Sequence, residues 1–257
     1  MSDPVTSLRE STRALSALLR TAESDRKIPH LDWSVGQCVA HMLISNHLYA
    51  SQIVGPGVRM NIEDTAELNS WSVAPITYLE PAPLADELES STEVFLEAVS
   101  AQPASATFTW WSGAQAPIDV GVGLLVGERL VHGWDIARTL GAPWPIDPRH
   151  AAHAMSASIS VMPLIVDPDA ASGFDGVIEF RLRGAERYTL RFADGELTTA
   201  KADGVKPQCV ISADPVSILL VGYGRISQWG PVLRGRVMAW GRKPWLAMRL
   251  PRVLRAP

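Results

Sequence analysis

Val5, Leu8, Leu15, Leu18 and Leu19 recur at helical spacing behind Asp3-Pro4, a capping residue followed by a proline suited to a first helical position. The pattern predicts a first helix there. Ser34-Val-Gly-Gln37 reads as a capping box, and the apolar stripe behind it predicts a second helix to about Ile53. A long loop follows, punctuated by Gly55-Pro-Gly57 and by Pro75, Pro81 and Pro83, before Leu84, Leu88, Phe95 and Val99 share one face of a third helix. A fourth amphipathic segment spans Asp119 to Leu140 and stops at Gly141 with Pro143 just beyond, a glycine cap followed by a residue that cannot extend the helix. A shorter helix is predicted from Pro148 to about Met162.

After Asp167-Pro-Asp169 the period changes from helical to alternating. Val177-Ile-Glu-Phe-Arg-Leu-Arg183 and Tyr188-Thr-Leu-Arg-Phe192 flank Gly184-Ala-Glu-Arg187 as the arms of a hairpin, and Glu196–Thr199 and Gln208–Ser212 read as further strands. Asp214-Pro215 opens another helix, and Pro244-Trp-Leu-Ala-Met-Arg-Leu250 closes the chain with one more. These textures place a boundary near residue 167. They predict an α domain at 1–166 and a smaller α+β domain at 167–257.

At 257 residues, 47% of them hydrophobic, the chain can bury a core in each of two domains. A formal charge of −4 with scattered Lys and Arg gives no footprint for nucleic acid. The C-terminal end is the exception, with Arg234, Arg236, Arg242, Lys243, Arg249, Arg252 and Arg255 making it locally basic: a solvated helical face, or a surface for an anionic ligand. Cys38 and Cys209 stand far apart in segments of different character, so a disulfide framework is not expected and a reducing, cytoplasmic setting is. The N-terminus has no basic region leading into an apolar core, and no apolar run approaches the roughly 20 residues of a membrane span, so neither secretion nor a membrane is expected. Nothing in the sequence sets an oligomeric state.

The candidate chemistry lies in two helices. Glu128 and His132 are one turn apart on a face that also carries Leu124, Leu125 and Val131, with Asp135 on nearly the same stripe. An inward face is a costly place for a carboxylate and an imidazole unless they are paired or hold a cation. His41 on the second helix shares an inward face with Cys38, Ile44, Ser45 and Leu48, while His47 falls about 120° away. Two facing helices could bring His41, Glu128 and His132 to one metal ion, with Asp135 receiving the free ring nitrogen of His132. Two plainer readings stand beside this: a lone inward His is more often a satisfied core residue, and Glu-x-x-x-His is also a helical hydrogen-bonded pair. Cys38 reads as a small buried hydrophobe that could reach the same site, and His30, His150 and His153 are expected in solvent. Trp110-Trp111 and the stretch from Trp134 to Trp144 fit a pocket wall or plain core packing.

The segments Asp32-Trp-Ser-Val-Gly-Gln-Cys-Val-Ala-His41-Met42 and Gly127-Glu-Arg-Leu-Val-His132-Gly-Trp-Asp135-Ile-Ala-Arg-Thr-Leu-Gly141, with the helical-then-α+β layout, resemble the mycothiol-dependent maleylpyruvate isomerases and their DinB-like relatives. The resemblance spans almost the whole chain. It implies an N-terminal DinB-like four-helix bundle holding a divalent metal, commonly zinc, on His41, Glu128 and His132. It also implies a smaller sterol-carrier-protein-like α+β domain, a looser match carried by Cys209–Asp214 and Leu233–Gly241.

The implied activity is attack on an electrophilic small molecule by a low-molecular-weight thiol, mycothiol, giving cis-trans isomerisation or thiol S-transfer. The isomerases also use an arginine of the second domain to anchor substrate, for which Arg225, Arg234, Arg236 and Arg242 are available, Arg234 and Arg236 foremost. Fold and metal site are shared by many activities, so two rivals stand. One is a thiol-independent metal-assisted hydrolase or biosynthetic rearrangement enzyme. The other is a binding protein for a small apolar ligand.

Overall fold

The structure, a computed structural model, describes residues 3–23, 25–55, 73, 80–110 and 114–255. Gly57 and Pro75 of the expected loop and Trp111 lie outside the described residues.

Helix α1 (Pro4–Leu19) begins where Asp3 accepts the Thr6 backbone N–H at 2.8 Å. Helix α2 (Val35–Val54) begins with the full capping box: Gln37 N–H donates to Ser34 Oγ at 3.2 Å, and Ser34 N–H donates to Gln37 Oε1 at 2.9 Å. Satisfying two otherwise orphaned donors in this way is worth about 1 kcal/mol and fixes the rotational phase of the residues that follow, His41 among them. Helix α3 (Pro81–Ser100) follows.

A short antiparallel ribbon, β1 (Thr107–Thr109) and β2 (Gln115–Pro117), then leads into α4 (Ile118–Leu140). Strands this short show no readable alternation, which is why the apolar pattern did not announce them. Gly141 ends α4 at φ +70°, a left-handed cap that a side chain would strain, and Ala142 N–H closes back on Ala137 carbonyl at 2.8 Å.

Helix α1 packs on α3 and α4, and α2 packs on the same two, so the four helices close in the cyclic order α1, α3, α2, α4. Leu15, Leu19, Val35, Cys38, Val39, Met42, Leu88 and Ile136 form the fully buried centre of this bundle. Cys38 therefore serves as a core residue.

The chain divides into compact units at Met1–Ile146 and Asp147–Pro257. The first unit ends before helix α5 (Pro148–Val161), which packs on α7 (Pro215–Gly222) of the second unit. This division falls one helix earlier than the change of texture at 167, because helical periodicity does not say which domain a helix packs against.

The second unit continues through a 3-10 turn at Met162–Ile165 and the single-turn α6 (Pro168–Ala171) into a five-stranded sheet. Its strands are β3 (Gly176–Leu182), β4 (Arg187–Ala193), β5 (Glu196–Lys201), β6 (Cys209–Ala213) and β7 (Val237–Gly241). They lie in the order β5-β4-β3-β6-β7, antiparallel except for the β3–β6 pair.

Ile178 pairs with Leu190 on one side and Cys209 on the other, and the face that carries them, with Phe180, Phe192 and Ile211, is buried. Strand β7 was not predicted: all but one of its residues are exposed, so an edge strand with no buried face leaves no alternating pattern. Short helices α8 (Trp229–Leu233) and α9 (Trp245–Arg249) flank it in sequence. No helix among the described residues is long and apolar enough to cross a membrane.

Candidate metal centre

His41 and His132 are buried on α2 and α4, each 8% exposed, and each places Nε2 at 3.2 Å from the same atom, Oε2 of Glu128. The Glu128 side chain keeps 27% of its surface open. One ligand atom from each of the three lies within 4.8 Å of the other two, so the residues singled out in the sequence converge. Two imidazole nitrogens and one carboxylate oxygen, nearly dry and with a side left open by Glu128, form a donor set suited to a divalent cation such as zinc that retains a free position. The indole of Trp33, just before the α2 cap, lies over the pair, with ring centroids 5.0 Å from His41 and 6.2 Å from His132.

Burial works against charge on both Glu128 and His132, and their mutual contacts outweigh it. Desolvation would raise the Glu128 carboxyl, but hydrogen bonds and the nearby imidazoles of His132 and His41 hold it well below the usual range. Desolvation would likewise lower His132, but the Cys38 thiol, Asp135 and Glu128 together hold it well above the ordinary histidine value. Cys38 is thus close enough to act on the charge of His132 without joining the ligand cluster found among the described residues.

Asp135 has no exposed side-chain surface, and its Oδ2 lies 3.3 Å from His132 Nδ1. That separation suits an ion pair but does not meet hydrogen-bond geometry. Its other oxygen, Oδ1, accepts from His30 Nε2 at 2.8 Å. His30 was expected in solvent; its side chain is 44% exposed, but the ring is engaged. His150 corrects the same expectation more sharply, being 7% exposed, and His153 is half-buried. His47 is exposed, as its angle on α2 implied.

Sequence reasoning missed Arg129. It is fully buried on α4 next to Glu128 and donates through Nη2 to Asn46 Oδ1, while Nε and Nη1 have no hydrogen-bond partner among the described residues. Asn46 in turn donates to Ser91 and Thr92 of α3 at 2.9 and 3.2 Å. Burial pushes the guanidinium down to about 10 against the pull of Glu128. An inward-pointing Arg in an amphipathic segment was the available signal.

Of the tryptophans expected as pocket wall or core, Trp110 is buried and Trp144 is half-buried against the bundle core. Trp110 is 7% exposed and donates to Tyr49 Oη at 3.3 Å, and Trp144 donates to the Leu130 carbonyl at 3.0 Å.

Arg234 and Arg236 line one open cleft of about 370 Å³ with Ser217, Ile226, Ser227, Gly230 and Pro231. Arg225 donates to the Tyr223 carbonyl at 2.7 Å, and Arg242 is exposed. A larger open cleft of about 420 Å³ runs past Arg9, Thr12 and Glu93 and includes none of the candidate ligands.

The sequence profile of the mycothiol maleylpyruvate isomerase N-terminal domain matches residues 5–137, more than half of the chain. The chain belongs to this family. Solved structures extend the likeness beyond the matched domain. The mycothiol-dependent maleylpyruvate isomerase and a histidine-to-alanine variant of it each match this family member with a TM-score of 0.53 and 15% identity, over 93% of this chain and 95% of that one. At that identity the match shows a shared fold, an α domain followed by an α+β domain. Sterol carrier protein 2 like 2 from Aedes aegypti matches 42% of the chain and 100% of its own length, at 15% identity and a TM-score of 0.36. No curated protein sequence matches the chain significantly.

Proposed function

We propose that this family member is a metal- and thiol-dependent enzyme that delivers a low-molecular-weight thiol, mycothiol, to an electrophilic small molecule, as a cis-trans isomerase or a thiol S-transferase. The convergence of His41, Glu128 and His132 within 4.8 Å carries the reading. These three residues would hold a divalent cation, with zinc the best fit to two imidazoles and one carboxylate. When bound, such a cation supplies Lewis acidity, lowering the pKa of a thiol from about 8.5 so that the nucleophile is ionised near neutral pH.

The other roles fall to the chain's own side chains. With a cation in place, Asp135 would favour the remaining proton of His132 on Nδ1, so that Nε2 serves as the ligand atom. Trp33 covers the two imidazoles and limits water at the site. Arg234 and Arg236, sharing one cleft, are the proposed cationic anchors for a carboxylate-bearing substrate. The widely spaced Cys38 and Cys209 are both free, which fits a reducing cytoplasm.

The test is a mass-spectrometric assay of purified protein with mycothiol and a panel of α,β-unsaturated acids and other electrophiles, with and without chelator. Isomer or S-conjugate formed only with thiol and metal together supports the reading. Turnover without thiol would replace it with a metal-assisted hydrolase or rearrangement enzyme. Tight binding of an apolar ligand without turnover, unaffected by chelator, would replace it with a binding protein.

A further inference from the structure

Residues 27–34 form a tight turn in front of α2. Lys27 and Ser34 pair as an isolated bridge, Ile28 N–H donates to the Trp33 carbonyl at 3.0 Å, and Ile28 is buried beneath. The turn is therefore held at its base as well as at its end, where Ser34 caps the helix. It delivers two side chains to the surroundings of the metal centre: Trp33 against the His41 ring, and His30 onto Asp135.

Asp135 is the reason this matters. A buried carboxylate is costly unless its oxygens are met, and here one oxygen faces His132 Nδ1 while the other accepts from His30. An ionised carboxylate only accepts, so His30 is the donor through Nε2. Its contact, at 2.8 Å against 3.3 Å for His132 Nδ1, is the shorter of the two, and it holds the carboxylate through the oxygen that does not face His132. Which nitrogen of His132 carries the proton is set by what faces Nδ1, and the orientation of that carboxylate is set by His30.

We propose that His30 is a positioning residue of the metal centre, acting through Asp135 to keep His132 protonated on Nδ1 and presenting Nε2. The consequence for metal affinity rests on the reading of His41, Glu128 and His132 as ligands; the effect on His132 itself does not.

The experiment has two arms. Zinc affinity is measured by chelator competition in the full-length protein and in His30→Ala, His30→Gln, Asp135→Asn and the His30→Ala/Asp135→Asn double variant. Outer partners of metal-bound histidines are typically worth about 10–100-fold, so His30→Ala should weaken zinc by about 10-fold. The amide of His30→Gln, which can donate from a similar position, should restore most of the loss. With Asp135 already changed to Asn, removal of His30 should cost nothing further.

In the second arm, the Nδ1 proton and nitrogen resonances of His132 are followed by NMR in metal-free and zinc-loaded protein. They should shift in His30→Ala and return in His30→Gln, which a merely structural turn residue would not produce. Unchanged zinc affinity with unchanged His132 resonances in His30→Ala overturns the proposal, as do losses that simply add in the double variant. If the parent protein takes up no zinc, the metal reading fails, and the metal-free resonances still decide the role of His30.

Discussion

Nε2 of His41 on α2 stands 3.2 Å from Oε2 of Glu128 on α4, although 87 residues separate them in the chain. His132 reaches the same oxygen at the same distance, so one carboxylate organises both imidazoles. Glu128→Gln keeps the shape but removes the charge. Its affinity for divalent cations should fall by more than the ~10–100-fold typical of outer partners, with helix content unchanged. Metal analysis and chelator competition, read beside circular dichroism, check this; full zinc retention would exclude Glu128 as a ligand.

Gly133 follows His132 directly and leaves room for Trp144. A Cβ built at Gly133 would lie 2.1 Å from Trp144 Cζ2, so alanine forces the indole out of its place and with it the bond to the Leu130 carbonyl. Gly133→Ala should destabilise the protein by about 1–3 kcal/mol in urea unfolding. Adding Trp144→Ala should cost less than the sum of the two single changes, because the clash is then gone.

Leu88 has no exposed surface and sits in the bundle core with Leu15, Val39 and Ile136. Leu88→Ala removes buried methyl groups and leaves a cavity, with an expected loss of about 2–5 kcal/mol. Denaturant titration should show a lower midpoint with an unchanged slope.

Asp147 caps α5 and pairs with Arg149 at 2.5 Å. The Arg149 side chain, opposed by desolvation and helped by the Arg149 backbone N–H, holds its carboxyl down at about 2, from an ordinary 3.8. A carboxyl lowered in the folded state contributes fully above its unfolded value and loses that contribution as pH falls through its folded value. Asparagine caps comparably but cannot pair with Arg149, and the pair is partly exposed, so Asp147→Asn should cost about 1 kcal/mol at neutral pH. Thermal melts should show this difference shrinking from about pH 4 and gone below about pH 2.

The amino-acid sequence by itself determined the helices of the bundle and those ends that carry a local signal, because Asp3-Pro4, the Ser34–Gln37 box and Gly141 satisfy or stop backbone hydrogen bonds locally. It also determined which residues share a helix face, and so singled out Glu128 and His132 together and His41 apart. The β3–β4 hairpin was legible for the same reason, its alternation being the imprint of one buried face.

Other features depend on neighbours that are distant in the chain, and only the tertiary structure decided them. Edge strand β7 buries too little to leave a pattern, and α5 joins the second unit through packing on α7, which periodicity does not encode. His30 sits between two predicted helices with no periodic pattern to set its direction, and it becomes part of the site because Asp135, 105 residues later, lies 2.8 Å away. Arg129 meets Asn46 of α2, which donates in turn to Ser91 and Thr92 of α3, a chain of contacts that exists only once three helices pack. Spacing along one helix carries i-to-i+4 relations such as Glu128 with His132, whereas contacts between elements exist only once those elements pack.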